Sequence, residues 1–183
     1  MQPPNKFHKE NLSNAKRVID CFHIQIPAGD RVQKIRIRHC WEAIQQETNT
    51  GEKTIGLKRK YTRSIFENDD TRRELLAGNR YLLFKSAEKS TESQKLRARI
   101  LFREYPDIKR AYSLSHSLQI MFNKYSTKAG AGTNLAKWYQ AVEESGFDSF
   151  NTIAVTLYDR NDETLNFYTN RASMHLQSLL MSK

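Results

Sequence analysis

The sequence predicts a mostly helical fold with one small β element, and two patterns lead to this prediction. Residues 17–26, RVIDCFHIQI, are rich in β-branched and aromatic types and are closed by Pro27, Ala28 and Gly29, which is typical of a strand that ends in a turn. From Asp30 onwards, apolar residues recur three or four positions apart in several segments, the period of an amphipathic helix. A chain of 183 residues is expected to form a single domain.

Capping signals mark where the first predicted helices begin and end. Asp30 is a suitable N-cap for a helix over residues 31–47. Thr91 and Gln94 have the spacing of a capping box, which predicts a helix that runs from there until Pro106 ends it. Residues 48–70 hold two glycines and no sustained period, so we expect a loop or a short helical piece there.

The second half of the chain is predicted to be helical throughout. Pro106 suits the first turn of a helix whose apolar stripe includes Leu118 and Phe122. Gly146 is placed as a C-terminal cap between a helix that carries Trp138 and a last helix over residues 150–168. Trp41, Trp138 and Tyr139 lie on apolar stripes and are interpreted as core rather than as base-stacking platforms.

Charge indicates a polyanionic partner. The formal net charge is +10, and a protein that neutralises phosphates releases their condensed counterions. Nine Lys or Arg stand against three Glu over residues 31–63, whereas residues 140–168 hold six acids and one Arg. DNA is therefore expected on the first half of the chain. Two other readings stay open, namely helix faces of opposite sign that attract one another, and a protein-binding helical bundle.

Cysteine usage and hydropathy predict a cytoplasmic chain. Cys21 and Cys40 have neither the number nor the spacing of a disulfide framework or a zinc site. The sequence contains no apolar run suited to a signal peptide or to a membrane span. We expect a soluble intracellular protein that does not associate with a membrane.

Asp20 is the residue most suited to chemistry. It lies inside the apolar run VIDCFH, where a carboxylate is unfavourable unless it is hydrogen-bonded, paired or bound to a cation. Two interpretations follow, a structural Asp at the end of a strand or a metal ligand, and the residues alone favour the first.

The segment LSNAKRVIDCFHIQ resembles the part of the ISL-three family of insertion-sequence transposases that carries the second acid of the DDE triad. Segments similar to that family follow in the same order and together cover most of residues 12–171. They are RVQKIRIRHCWEAI, NRYLLFKSAEKSTESQKLRARILFREYPDIKRAY, LAKWYQAVEESGFDSF and ETLNFYTNR. One departure is Cys21, which stands where the family has a basic residue.

The resemblance implies an RNase H-like α/β core with a large helical insertion. Residues 1–27 would then be a partial core strand, residues 28–148 the insertion, and residues 149–183 a helix and tail that return to the core. Asp20 would be a catalytic metal ligand for Mg²⁺ or Mn²⁺, since such cores place two divalent ions between shared carboxylates. The implied partner is DNA at transposon ends, and the implied location is the bacterial nucleoid. A homo-oligomer is compatible with this family, but the sequence does not give the oligomeric state.

The first and third acids of the triad are missing from the expected places. Glu10 is the only acid before Leu12, and residues 171–183 contain none. We therefore expect a truncated transposase that binds DNA but does not cut it alone, and the alternative is a basic helical DNA-binding or regulatory module that was never catalytic. The candidate phosphate contacts are Arg31, Lys34, Arg36, Arg38, Lys58, Arg59, Lys60 and Arg63.

Overall fold

A computed structural model describes residues 17–58, 62–85, 90–124 and 127–168. Helices account for most of these residues. They are α1 (Phe22–Gly56), α2 (Arg72–Gly78), a 3₁₀ turn (Leu82–Phe84), α3 (Glu92–Glu104), α4 (Pro106–Lys124), α5 (Lys128–Ser145), α6 (Asp148–Asp159) and a last segment, α7, over residues 161–168.

The predicted strand at residues 17–26 is wrong, and so is the predicted RNase H-like α/β core. The described residues contain no strand, and their β pairing is limited to an isolated bridge between Ile65 and Thr71. Residues 22–26 instead form the first turns of α1. Ile24, Ala28 and Val32 are buried, whereas Ile26 and Asp30 between them are exposed, so burial follows the helical period rather than the alternation of a strand.

Helix α1 is the longest element and the one around which the others are arranged. Its 35 residues correspond to a length of about 50 Å at 1.5 Å per residue. It contacts α4, α2, α6 and the 3₁₀ turn. Its buried positions begin at Ile24 and end at Ala43, although the helix continues to Gly56. The last thirteen residues of α1 therefore contribute no buried side chain.

Helix α4 is the second central element, because it packs on α1, α3 and α5. Ile108, Ala111, Leu118 and Phe122, all placed on one stripe from the sequence, are buried. The indole N–H of Trp138 in α5 donates to the carbonyl oxygen of Leu114 at 3.0 Å, so this buried aromatic is a satisfied core residue, as predicted.

Several helices begin or end at residues that cap them. The capping box of Thr91 and Gln94 is present, and Gly146 adopts the left-handed conformation with φ of 68° after α5. A second capping box, between Thr71 and Glu74, begins α2. It was not predicted, although the pattern T-x-x-E is visible in the sequence.

The first and last described segments meet. The amide of Ile19 donates to the carbonyl oxygen of Glu163 at 3.1 Å, and the side-chain amide of Asn166 donates to the carbonyl oxygen of Arg17 at 3.1 Å. The hydroxyl of buried Tyr168 donates to the carbonyl oxygen of Met121 in α4 at 3.1 Å. These bonds attach α7 and the entry to α1 to the helical body.

The turn that precedes α2 is tied to α3 by a bidentate ion pair. Two guanidinium nitrogens of Arg97 donate to the two carboxylate oxygens of Asp70 at 2.6 and 2.7 Å, and Asn68 donates to the same carboxylate at 2.7 Å. Asp70 is buried, so removal of its carboxylate leaves Arg97 and Asn68 without their acceptor.

We expect Asp70→Ala to lower the free energy of unfolding by about 1–3 kcal/mol, because Arg97 and Asn68 lose a buried acceptor, although the Arg97 side chain is 38% exposed and can turn to water. Urea denaturation measures this decrease. The matched control is Glu67→Ala, which removes an exposed ion pair to Arg103 and should cost less than about 1 kcal/mol. Equal decreases in the two variants would contradict a structural role for the pair.

Candidate nucleic-acid interface

Asp20 lies in the turn that leads into α1 and not on a strand. One carboxylate oxygen accepts a hydrogen bond from the backbone N–H of Phe22 at 2.9 Å, and the other lies 3.5 Å from Nε2 of His23. The side chain is 54% exposed. This is the geometry of a carboxylate that satisfies a free N–H at the start of a helix, a structural role.

The described residues do not offer a donor set for the divalent metal that DDE chemistry would need. All acidic residues of the chain except Glu10 and Glu88 lie in the described ranges. Within those ranges, no three His, Cys, Asp or Glu side chains are close enough to hold one ion. Since two-metal catalysis needs several shared carboxylates, we derive no metal-dependent step from this part of the chain.

Three of the predicted phosphate contacts share one face of α1. Arg31, Lys34 and Arg38 follow one another at steps of three and four residues, which brings their side chains onto the same side of a helix. Lys34 is exposed and forms no ion pair with any described residue, whereas Arg31 is half-buried.

Arg36 lies on the opposite side of α1 and is buried. Its Nε donates to the side-chain oxygen of Gln33 at 2.7 Å, and its Nη1 donates to the carbonyl oxygen of Leu76 in α2 at 3.1 Å. Burial lowers the pKa of this guanidinium, opposed in part by Cys40. The side chain thus ties α1 to α2, and its exposure of 7% leaves little surface for a phosphate.

Arg38 belongs to a charged cluster that joins α1 to the start of α4. Its Nη2 donates to Asp107 at 3.0 Å, and its Nε lies 3.8 Å from Glu42. The ring of His39 lies between the same two carboxylates, with Nε2 2.7 Å from Asp107 and Nδ1 2.9 Å from Glu42. We call Arg38, His39, Glu42 and Asp107 the α1–α4 cluster.

Asp107 is held in its charged form by this cluster. Partial burial raises the pKa of its carboxyl, but the hydrogen bond and charge of His39, the N–H of Ile108 and the charge of Arg38 together outweigh burial, so the pKa lies below its ordinary value of 3.8. Its position in the first turn of α4 also favours an anion, because the helix dipole is positive there.

The strongest concentration of basic residues follows at the far end of α1. Five Lys or Arg and no acid occupy residues 53–63. Lys53, Lys58 and Arg63 are exposed, and none of the three forms an ion pair with a described residue. Arg59 and Lys60, also predicted as phosphate contacts, lie outside the described residues.

Helix α2 adds two basic residues that sequence reasoning missed. Arg72 donates to the side-chain oxygen of Gln46 at 3.0 Å, which places it beside the last turns of α1, and Arg73 is exposed next to it. The capping box of Thr71 and Glu74 fixes where α2 begins and so which way both arginines lie. Recognition of that box in the sequence could have identified them.

The acidic half of the chain does not neutralise these basic residues directly. Glu143, Glu144 and Asp148 are exposed around the junction of α5 and α6, and Asp159 and Asp162 are exposed where α6 meets α7. Across the described ranges, no ion pair joins an acid of α5, α6 or α7 to a base of α1. The described helices also include none that is both long and apolar enough to cross a membrane.

The fold and charge define a basic, all-helical body, within the described ranges, from which one end of a long helix projects. A family model of DDE transposases, described as transposase, matches residues 2–175. The chain belongs to the ISL-three family of DDE transposases, as its sequence segments indicated. Membership implies a role in DNA transposition and contact with DNA. Comparison with curated proteins gives no match, and neither does comparison with solved structures.

The lowered pKa of Asp107 predicts how stability depends on pH. A carboxyl whose pKa is lower in the folded than in the unfolded chain contributes stability above its unfolded value, and this contribution disappears as pH falls through the folded value. We expect Asp107→Asn to reduce the free energy of unfolding at pH 7 by about 1–2 kcal/mol.

The same substitution should flatten the decline of stability below about pH 4, the ordinary range of an aspartate. Urea unfolding measured from about pH 2 to about pH 7, in steps of about one pH unit, gives both effects. Glu143→Gln, which removes an exposed acid, is the control and should change neither. A wild-type acid profile retained by Asp107→Asn would contradict the assigned role.

Proposed function

We propose that this chain acts in DNA transposition as a DNA-binding unit that does not cleave DNA by itself. It holds the phosphate backbone with Lys34 and with the basic residues of 53–63, which begin in the last turn of α1 and continue beyond its end at Gly56. Such a unit, at work on the bacterial nucleoid, would occupy transposon ends without processing them.

The observation that carries the proposal is the group of basic residues at the end of α1 and just after it. Residues 53–63 carry five positive charges without an acid, and the described members of this group are exposed and lack ion pairs with the described chain. The turns of α1 that lead to them bury no side chain, so this end stands away from the helical body. Projecting cations without internal partners are free to release counterions from a DNA backbone.

The absence of cleavage is argued from the surroundings of Asp20. Its carboxylate serves the first N–H of α1 and faces His23, and the described chain brings no second and third metal ligand to it. One carboxylate alone, without further ligands, does not hold two divalent ions in the positions that strand cleavage requires. The interpretation of Asp20 as a structural residue at the start of a helix is the one that the contacts support.

The first test of the proposal is the salt dependence of DNA affinity. We expect the double variant Lys53→Ala, Lys58→Ala to bind a duplex several-fold more weakly at low salt, and to reduce the slope of log affinity against log salt by about 2, since each phosphate contact contributes about 0.9. Fluorescence anisotropy of a labelled duplex at several salt concentrations gives both values.

A matched control is the double variant Lys128→Ala, Lys137→Ala, which removes two exposed Lys from α5. It should leave both affinity and slope near the wild-type values. Equal effects of the two double variants would assign binding to overall charge and not to the end of α1.

The second test concerns catalysis. Purified chain incubated with Mg²⁺ or Mn²⁺ and a supercoiled plasmid should leave the plasmid intact, because the described carboxylates do not form a metal site. Agarose gels resolve supercoiled, nicked and linear forms. Nicking that depends on the metal and disappears on Asp20→Ala would overturn this part of the proposal.

A further inference from the structure

The exposed face of α1 carries more than cations. Arg38, Trp41, Gln45, Asn49 and Lys53 follow at steps of three and four residues, so their side chains lie on one side of the helix. All five are exposed, and apart from Arg38 their side chains form no hydrogen bond or ion pair within the described chain. We call these five residues the α1 face.

The neighbouring polar residues of the same turns are used internally, which sets Gln45 and Asn49 apart. The hydroxyls of Thr48, Thr50 and Thr54 each donate to the carbonyl oxygen four residues earlier, at 3.0, 2.7 and 2.6 Å. Gln46 accepts a hydrogen bond from Arg72. The two amides of the α1 face therefore point to solvent with all their donors and acceptors available.

We propose that the α1 face is a recognition surface for the major groove of duplex DNA, in which Gln45 and Asn49 read base edges. The inference rests on the proposed function and deepens it. A side-chain amide matches the N6 and N7 edge of adenine with two hydrogen bonds, and a helix fits within the major groove. Residues four apart on a helix are about 6 Å apart, close to two base-pair steps.

The order of residues along the helix fits this occupant. Arg38 and Lys53 lie about 10 Å and 6 Å along the axis from the nearest amide, so they flank the pair and can reach the phosphates that border the groove. Trp41 is 67% exposed one turn before Gln45, where its ring can contact a thymine methyl group. A protein partner would favour an apolar centre, whereas the centre of this face is a pair of amides between cations.

Two acids lie on the same side of the helix and limit what the face binds, Glu42 four residues after Arg38 and Glu52 three residues after Asn49. Glu42 is already engaged by Arg38 and His39 in the α1–α4 cluster. Glu52 is exposed and forms no ion pair within the described ranges. Its carboxylate accepts a hydrogen bond from the amino group of cytosine but repels phosphate, so it sharpens base preference without adding affinity.

The experiment is selection of bound duplexes from a randomised pool by the full 183-residue chain. The wild-type chain should enrich a short motif that contains adenines. The double variant Gln45→Ala, Asn49→Ala should abolish this enrichment. On the selected duplex, removal of each amide should weaken affinity roughly five- to 150-fold, while affinity for a scrambled duplex stays within about twofold.

The control is Asn151→Ala, which removes an exposed Asn from α6 and should preserve the motif. Thermal unfolding of the double variant should match the wild type, because neither amide bonds to the described chain.

Wild-type binding with a steep salt slope but no enriched motif would overturn the inference and leave the proposed function standing. Lack of any DNA affinity at low salt would overturn both. A dimer in sedimentation that Trp41→Ala dissociates, with selection unaffected by the amide variant, would assign the face to self-association and overturn the inference alone.

Discussion

The rest of the structure depends on how α1 packs against α4. This packing ends at Ala43, although α1 continues to Gly56. The buried positions of α1 stop at Ala43, just after the α1–α4 cluster, where the first turn of α4 meets α1. Up to that point α1 is a core helix. Beyond it the same helix has α2 as a neighbour on one side and solvent elsewhere, as the contact of Gln46 with Arg72 shows. One continuous helix thus contributes buried residues to the core in its first part and exposed residues in its last part.

The polar contacts at this border set the direction of the projecting end. Arg36 bonds the carbonyl oxygen of Leu76 from within the core, and the α1–α4 cluster holds the other side of the helix. Because both sets of contacts precede the exposed turns, those turns leave the body at a fixed angle. Lys53, in the last turn of α1, is therefore carried by a helix whose earlier turns are anchored in the core.

Several helix boundaries set by local chemistry could be predicted from the sequence, but those of α1 could not. The predicted N-cap Asp30 lies inside α1, and the helix continues over residues 48–56, where a loop or a short helical piece was expected. The capping box of Thr91 and Gln94, the break at Pro106 and the left-handed cap at Gly146 all depend on residues within one turn of each other. The predicted strand at residues 17–26 is wrong because it rests on β-branched and aromatic composition rather than on spacing. Ile26 is exposed between the buried residues Ile24 and Ala28, which fits the helical period and not the alternation of a strand, and tertiary packing overrides β propensity.

The candidate site was predictable in charge but not in arrangement. Composition located the basic half of the chain, and the resemblance to transposases, now confirmed, supplied DNA as the partner. Which arginine faces outward depends on where α2 packs against α1. The sequence alone therefore could not predict that Arg36 is buried and Arg38 is exposed. The metal-binding role expected for Asp20 came from the family pattern, whereas its contacts with Phe22 and His23 follow from the turn in which it lies.

The two glycines near the end of α1 give this element a property of its own. An added Cβ at Gly51 or Gly56 would meet no atom within 4 Å, so neither position is required by close packing. Glycine lowers helix stability by about 1 kcal/mol relative to alanine, and the last turns of α1 bury no side chain that would compensate for this loss. The backbone amides of these turns are accordingly expected to exchange hydrogen faster than those of the buried turns of α1. A ligand that holds these turns in a helix must offset the conformational entropy that the turns lose on ordering. This cost lowers the affinity of binding but does not change the selectivity of the contacts.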